Sequence, residues 1–351
     1  MVEPVTDGIR GSMGLVSNAR ATTLLLALAA AAGCGGSGGA AGPGIGGAGG
    51  GGSGAGGNSG GGTPTVLASG EVGAWAIAVD DTSVYWTNQN SRRVMKVAVG
   101  GGTPVMLATG ASAAQVPWDV TVDADAVYWS TYNSPGTVMR VPLAGGTPVT
   151  LAEGQNGPRN IAVFGASAYW INLWIFGSNT GAVLTAPVAG GAPAPLASAQ
   201  NDPNGIAVDE TNVYWTNLGG TVMKLAKSGG GAPVILASGQ SGPQHIVADA
   251  TNVYWTSTGS VEDTGTVMTV ASAGGTPMPL AERQRGPLGI AIDATTVYWT
   301  DVSRVMKAAK GGGGAPVALA SGLIRASDVA VDATHVYWTD TDAGTIMKIA
   351  K

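Results

Sequence analysis

Residues 335–351, "HVYWTDTDAGTIMKIAK", close the chain and decide how the rest of it is read. The run from His335 to Thr339 is β-branched and aromatic, a short Asp/Ala/Gly segment follows, and "TIMKIA" is β-rich again. Two strands joined by a hairpin fit this pattern. Six earlier copies of the unit continue into one more strand, and this copy does not. Its Tyr-Trp pair recurs at Tyr85-Trp86, Tyr128-Trp129, Tyr169-Trp170, Tyr214-Trp215, Tyr254-Trp255, Tyr298-Trp299 and Tyr337-Trp338, at spacings of 39 to 45 residues. A short apolar run such as "GIAVD" or "DVAVD" precedes each pair, and "VMKV", "VMRV" or a relative follows it. A fourth segment, "TPVMLA" or "APVILA" in form, comes after a glycine turn everywhere except behind the seventh pair. The missing copy is "TPTVLA", residues 63–68, at the front of the repeats.

Four short strands recurring at this period predict an all-β chain, a seven-bladed β-propeller of four-stranded blades. The strands of a blade are termed A (IAVD), B (VYWT), C (VMKV) and D (TPVxLA). The ring is then closed by the N-terminal D strand, residues 63–68, pairing beside residues 346–349 in the last blade. Strands A and B are apolar on both faces, so each must be covered twice, as the middle strands of a blade between two others are. On strand B the tyrosine points one way and the valine and tryptophan the other. A buried tryptophan withdraws roughly 150–250 Å² from water, worth about 4–6 kcal/mol as an upper bound. The seven rings of the Tyr-Trp pairs therefore read as core and not as ligand stackers.

"YWTD" stands intact at residues 298–301 and 337–340, with "YWTN" in blades 1 and 4. With "GIAVD" beside it, residues 63–351 resemble the YWTD propellers of low-density-lipoprotein receptors and the related NHL and streptogramin-lyase propellers. The receptor domains have six blades and seven are counted here, so receptor biology does not follow. The resemblance speaks for fold, because propellers carry many activities.

The chain of 351 residues carries a net charge of −5, with 11% charged and 44% apolar residues. It has no basic stretch of the kind that tracks phosphates, so no nucleic-acid partner is expected. The single cysteine, Cys34, allows no internal disulfide. It follows Arg20 and a 12-residue apolar run, residues 21–32, which has the length of a signal-peptide core and is too short to span a bilayer. "AAGC", residues 31–34, resembles the bacterial lipobox, with alanine in place of the usual leucine; that resemblance implies a lipidated Cys34 as the new N-terminus. The acidic start before Met13 is unusual for such a leader, and translation from either Met1 or Met13 fits. Residues 35–62 are nearly all Gly, Ser and Ala and have too little to bury to offset ordering entropy. A coil of that length reaches about 30 Å. The expected layout is a lipoprotein signal peptide over 1–33, lipidated Cys34 and a disordered tether over 34–62, and the propeller over 63–351. The expected address is export, with lipid anchoring to the bacterial envelope, at the outer membrane or cell surface. Contact with the membrane is expected through the anchor only, and the propeller is read as a monomer.

In such a ring the A-to-B and C-to-D turns share one rim, and the D-to-A and B-to-C loops share the other. The A-to-B turns are uniform, with Asp at 80, 123, 209, 249, 293 and 332 and Phe164 in blade 3; the aspartates read as turn formers. The other rim varies, and departures between copied units are where function is sought. The long B-to-C loop of blade 3 carries "LWIF", residues 173–176, whose Trp174 and Phe176 suggest a contact surface. Around the expected channel mouth, the position entering strand A reads Ala76, Asp119, Asn160, Gly205, His245, Gly289 and Asp328. Trp75, Trp118 and Arg159 stand just before it in blades 1 to 3. These residues make a candidate binding surface for a small molecule, a glycan or an envelope protein. Asp119, Asn160, His245 and Asp328 carry donor atoms that suit calcium or magnesium, although nothing in their spacing requires a cofactor. "DTDAG", residues 340–344, has calcium-loop spacing without the later acidic ligands.

Two functions are thus open. One is a lipid-anchored binding or interaction module. The alternative is a metal-dependent enzyme similar to the streptogramin lyases or sugar lactonases, which needs a general base beside a bound cation. His245 is the one histidine on the appropriate rim, and no nucleophile elbow, phosphate loop or Cys/His zinc spacing accompanies it. No catalytic residue is assigned from the sequence.

Overall fold

A computed structural model describes residues 62–110, 115–173, 177 and 179–351. Cys34, the leader, the tether up to residue 61, and Trp174 and Phe176 all lie outside the described residues. Over the described residues the chain forms seven antiparallel four-stranded sheets, each with the order A-B-C-D. Six are built from consecutive strands. The seventh takes Ala326–Val331, His335–Asp340 and Thr345–Ala350 from the end of the chain and Thr65–Ser69 from its front. Thr65 pairs with Lys348 and Ser69 with Thr345, so the missing strand lies where the repeat count requires it.

Alternation along strand B turns directly into packing between blades. The apolar core is seven clusters, each holding the tyrosine of one blade and the tryptophan of the next. Tyr85 meets Trp129, Tyr128 meets Trp170, Tyr169 meets Trp215, and so on around to Tyr337 and Trp86. Trp86, Trp170, Trp215, Trp255, Trp299 and Trp338 are fully enclosed and Trp129 nearly so. Each ring is therefore shared between two blades, and no blade buries its own faces. The outer D strands begin just after a proline, whose missing N–H an edge strand tolerates.

A second set of bonds joins the blades near the axis. The threonine after each Tyr-Trp pair accepts the N–H entering strand A of its own blade and donates to a carbonyl of the next. Thr87 accepts from Ala76 and donates to Trp118, and Thr216 accepts from Gly205 and donates to Gln244. Ser130 takes the same place, reaching the Arg159 carbonyl. Thr339 donates to the Trp75 carbonyl at 2.8 Å and closes this girdle across the chain ends. Ile171 holds the equivalent position in blade 3, where the side chain has no hydroxyl to give.

Candidate functional site

The two rims differ in how their polar groups are used. On the turn rim, Oδ1 of each of the six aspartates accepts the N–H groups two and three residues on, as a turn former should. Oδ2 reaches further. It accepts the hydroxyl of the blade's own tyrosine, at 2.7 Å in Asp80–Tyr85 and 2.6 Å in both Asp209–Tyr214 and Asp332–Tyr337. Burial and the neighbouring carboxylate push these phenols well above their usual range. Lysines from the following blade cap two of the clamps, Lys310 on Asp249 at 2.8 Å and Lys351 on Asp293 at 2.7 Å. Burial opposes ionisation of these two carboxyls, but hydrogen bonds from lysine and backbone, joined at Asp293 by that of Tyr298, outweigh it and hold both at about 2. In blade 3, where Phe164 replaces the aspartate, Lys227 lies 3.8 Å over the phenyl ring instead. The turn rim is thus bonded to itself.

The opposite rim is framed by bonds from each B-to-C loop to the D-to-A loop beside it, such as Val302 N–H to the Arg285 carbonyl and Thr341 N–H to the Arg325 carbonyl. The side chains at the strand A entry are enclosed, none of Trp75, Trp118, Asp119, Arg159, Asn160, His245 and Asp328 exceeding 4% exposure. Asp119 Oδ2 accepts the Ile161 N–H at 3.0 Å and Nδ2 of Asn160 at 3.4 Å. Asp328 Oδ2 accepts the Ile77 N–H at 2.9 Å, and its Oδ1 lies 3.8 Å from His245 Nδ1. Each aspartate ties its blade to the following strand A. Close packing explains two of the glycines in this ring. A Cβ on Gly289 would come within 2.6 Å of Asp328 Oδ1, and one on Gly205 within 2.4 Å of the Gln244 carbonyl. The four donor residues fall into two pairs, and among the described residues no three His, Cys, Asp or Glu side chains converge as a metal-ligand set. Asp340 of the "DTDAG" segment accepts the N–H groups of Ile324 and Arg325 at 3.1 and 2.9 Å, and so positions the neighbouring D-to-A loop.

One level outward, the ring of residues just before the axial position sorts by size. Blades 1 to 3 place Trp75, Trp118 and Arg159 there. The two indoles stand 5.8 Å apart, and the Arg159 guanidinium lies 5.3 Å over Trp118 and 4.7 Å over Tyr132. Burial pulls the Arg159 guanidinium below its ordinary value, against the Tyr132 hydrogen bond and the charge of Asp202. Blades 6 and 7 place Leu288 and Ser327 at the same level. Over that half of the ring, bounded by blade 5, opens a cleft of about 580 Å³. Its apolar wall is Val261, Leu288, Val302, Ile324 and Ala326, and its charged edge is Glu262, Arg285, Arg325 and Asp342. Val261, Val302 and Ile324 are exposed, at 66%, 37% and 63%. Arg285 pairs with Glu262 at 2.6 Å, whereas Arg325 stands 3.9 Å from Asp342 and 5.3 Å over the Trp75 ring.

Of the residues named by sequence reasoning, the structure brings Trp75, Trp118 and Arg159 together as a stack in blades 1 to 3, and Asp119 with Asn160 and His245 with Asp328 as two pairs. Sequence reasoning missed Arg285, Ile324 and Arg325, which edge the open half. A signal was present. The D-to-A loops of blades 3, 5 and 6 carry Gln-x-Gly-Pro, at residues 155–158, 240–243 and 284–287, and the corresponding loop at 323–326 reads Leu-Ile-Arg-Ala.

No family model and no curated protein matches this chain. Among solved structures it is similar to a catalytically inactive histidine-to-alanine variant of virginiamycin B lyase from Staphylococcus aureus with quinupristin. The TM-score is 0.68 at 13% identity, over 82% of this chain and 98% of that one. It is also similar to the WD40 β-propeller domain of Doa1, with a TM-score of 0.62, 13% identity and coverage of 82% and 95%. The computationally designed Ika8 protein matches with a TM-score of 0.56 at 13% identity, covering 81% and 98%. Likeness at this identity speaks for fold, and the class it defines together with the seven sheets is the seven-bladed β-propeller.

Proposed function

We propose that this chain is an exported, lipid-anchored binding module of the bacterial envelope, with its propeller of the YWTD/NHL type taking a ligand in the cleft over blades 5 to 7. The observation that carries the proposal is the cleft itself. Its volume suits a small molecule or a short chain segment. Three of the large apolar side chains exposed away from the D strands, Val261, Val302 and Ile324, line it. The anchor fits the same picture. Thr65–Ser69 starts on the turn rim, where C-to-D turns end, so a tether from Cys34 arrives on that rim and the cleft opens on the opposite one. The binding reading is preferred to a lyase- or lactonase-like enzyme because His245 is wholly enclosed beside Asp328, away from the cleft's solvent-facing wall.

Two measurements test the reading. Palmitate labelling of whole cells should mark the chain and be lost in Cys34→Ala; labelling that survives the substitution refutes the anchor. Thermal shift of the purified chain with calcium, magnesium and a panel of sugars and peptides should show stabilisation by an organic ligand, abolished by Val302→Trp in the cleft. A shift that depends on the metal and vanishes in His245→Ala would instead favour a cation site at His245 and with it the enzyme or cofactor reading.

A further inference from the structure

Arg325 is held in a way unlike an ordinary surface arginine. Its backbone N–H and that of Ile324 are both anchored on the Asp340 carboxylate. Its guanidinium rests on Trp75, Trp75 packs on Trp118, and Trp118 packs in turn on Arg159 and Tyr132. This column crosses from the cleft to blade 3 and supports the guanidinium, 5.3 Å over the Trp75 ring, at the cleft's edge. An aromatic support leaves the N–H fork pointing sideways and spares a ligand the cost of ordering a long side chain. The charge of Arg325 is only loosely matched. Asp342 lies 3.9 Å away, beyond hydrogen-bond length, and both side chains are substantially exposed. The other arginine of the cleft, Arg285, is already engaged by Glu262 at 2.6 Å. Between the two arginines the wall is apolar, formed by Leu288, Val302 and Ile324.

A pre-set guanidinium beside an apolar wall matches a ligand with a planar anion at one end and a hydrocarbon body. Building on the cleft reading above, we propose that the ligand is a small apolar carboxylate, its carboxylate bound by the Arg325 fork and its body laid over Leu288, Val302 and Ile324. The neighbouring Glu262 and Asp342 argue against multiply charged anions such as phosphates, which the net neutral edge of two arginines and two carboxylates would not balance.

The experiment compares octanoate and phenylpropanoate with their primary amides on the purified chain, by calorimetry and by the fluorescence of the tryptophan column. The acids should bind about tenfold or more tightly than the amides, the value of one charge-assisted pair. Arg325→Met should remove that preference while Arg285→Met retains it, with the melting temperature of each variant confirming an intact fold. Equal binding of acids and amides that Val302→Trp still blocks would overturn the carboxylate assignment and leave the cleft reading standing. Acid preference that persists in Arg325→Met would also overturn it. Absence of binding by acid and amide alike, up to millimolar concentration, would overturn the assignment and count against the cleft as well.

Discussion

The two rims of this propeller are made from the same repeat and have opposite chemistry. On the turn rim six copies of one aspartate do the same thing, bonding two backbone N–H groups and one tyrosine hydroxyl. Lysines of the following blade add to two of these clamps, Lys310 on Asp249 and Lys351 on Asp293. On the loop rim the copies diverge, and over blades 5 to 7 they leave apolar side chains and an arginine fork facing solvent. Repetition thus marks the groups that hold the ring. Departures from it mark the surface where a ligand has room.

The largest effect tests the core that both rims share. Trp215→Ala should lose about 3–5 kcal/mol in denaturant unfolding, because the ring is fully enclosed between Tyr169 and its neighbours. An unchanged midpoint would show that inter-blade packing does not carry the fold. Next comes the contrast between rims. Asp293→Ala removes the acceptor of Tyr298, of two backbone N–H groups and of Lys351, and should cost about 2–4 kcal/mol. Arg325→Met on the loop rim should change stability by about 0.5 kcal/mol or less. Comparable losses at the two sites would erase the distinction.

The pH dependence sharpens it. Asp249 and Asp293 sit at about 2 in the folded chain, below the roughly 3.9 of an unfolded aspartate. The unfolded state therefore binds protons first as the medium is acidified. The stability contributed by these clamps is complete above about pH 5 and drains away as pH falls towards 2. Acid unfolding of Lys310→Met should show a smaller loss over that window than the parent chain, since Asp249 then loses a cation that depresses it.

The last expected effect is a modest gain. In blades 3 to 6 a glutamine fifteen residues upstream accepts the tryptophan N–H, as Gln155 does for Trp170 and Gln284 for Trp299. Leu323 stands at that position in blade 7, and the Trp338 N–H meets no acceptor among the described residues. Leu323→Gln should stabilise the chain by roughly 0.5–1.5 kcal/mol. A neutral or destabilising result would mean that the leucine's own packing against the last core cluster outweighs the missing bond.

Much of this was legible in the sequence because a repeat states each rule several times, from four to seven. The count of Tyr-Trp pairs, the displaced "TPTVLA" and the turn aspartates needed only alternation and turn chemistry. The Asp-to-Tyr and Gln-to-Trp bonds recur at fixed offsets and were also written there. They were overlooked because an offset of five or fifteen means nothing until the strands are paired.

The candidate site was legible only in part. Trp75, Trp118 and Arg159 could be singled out by position, but not their packing against one another into an enclosed stack. What the sequence determined alone is the ring: its strands, its seven-fold count and the closure of its ends, all fixed by local pattern and by apolar faces that must be covered. What the tertiary structure decided is where the ring stays open. The cleft belongs to no single repeat, because its walls come from three blades side by side, and the volume left between them depends on which large and small side chains the circle makes into neighbours.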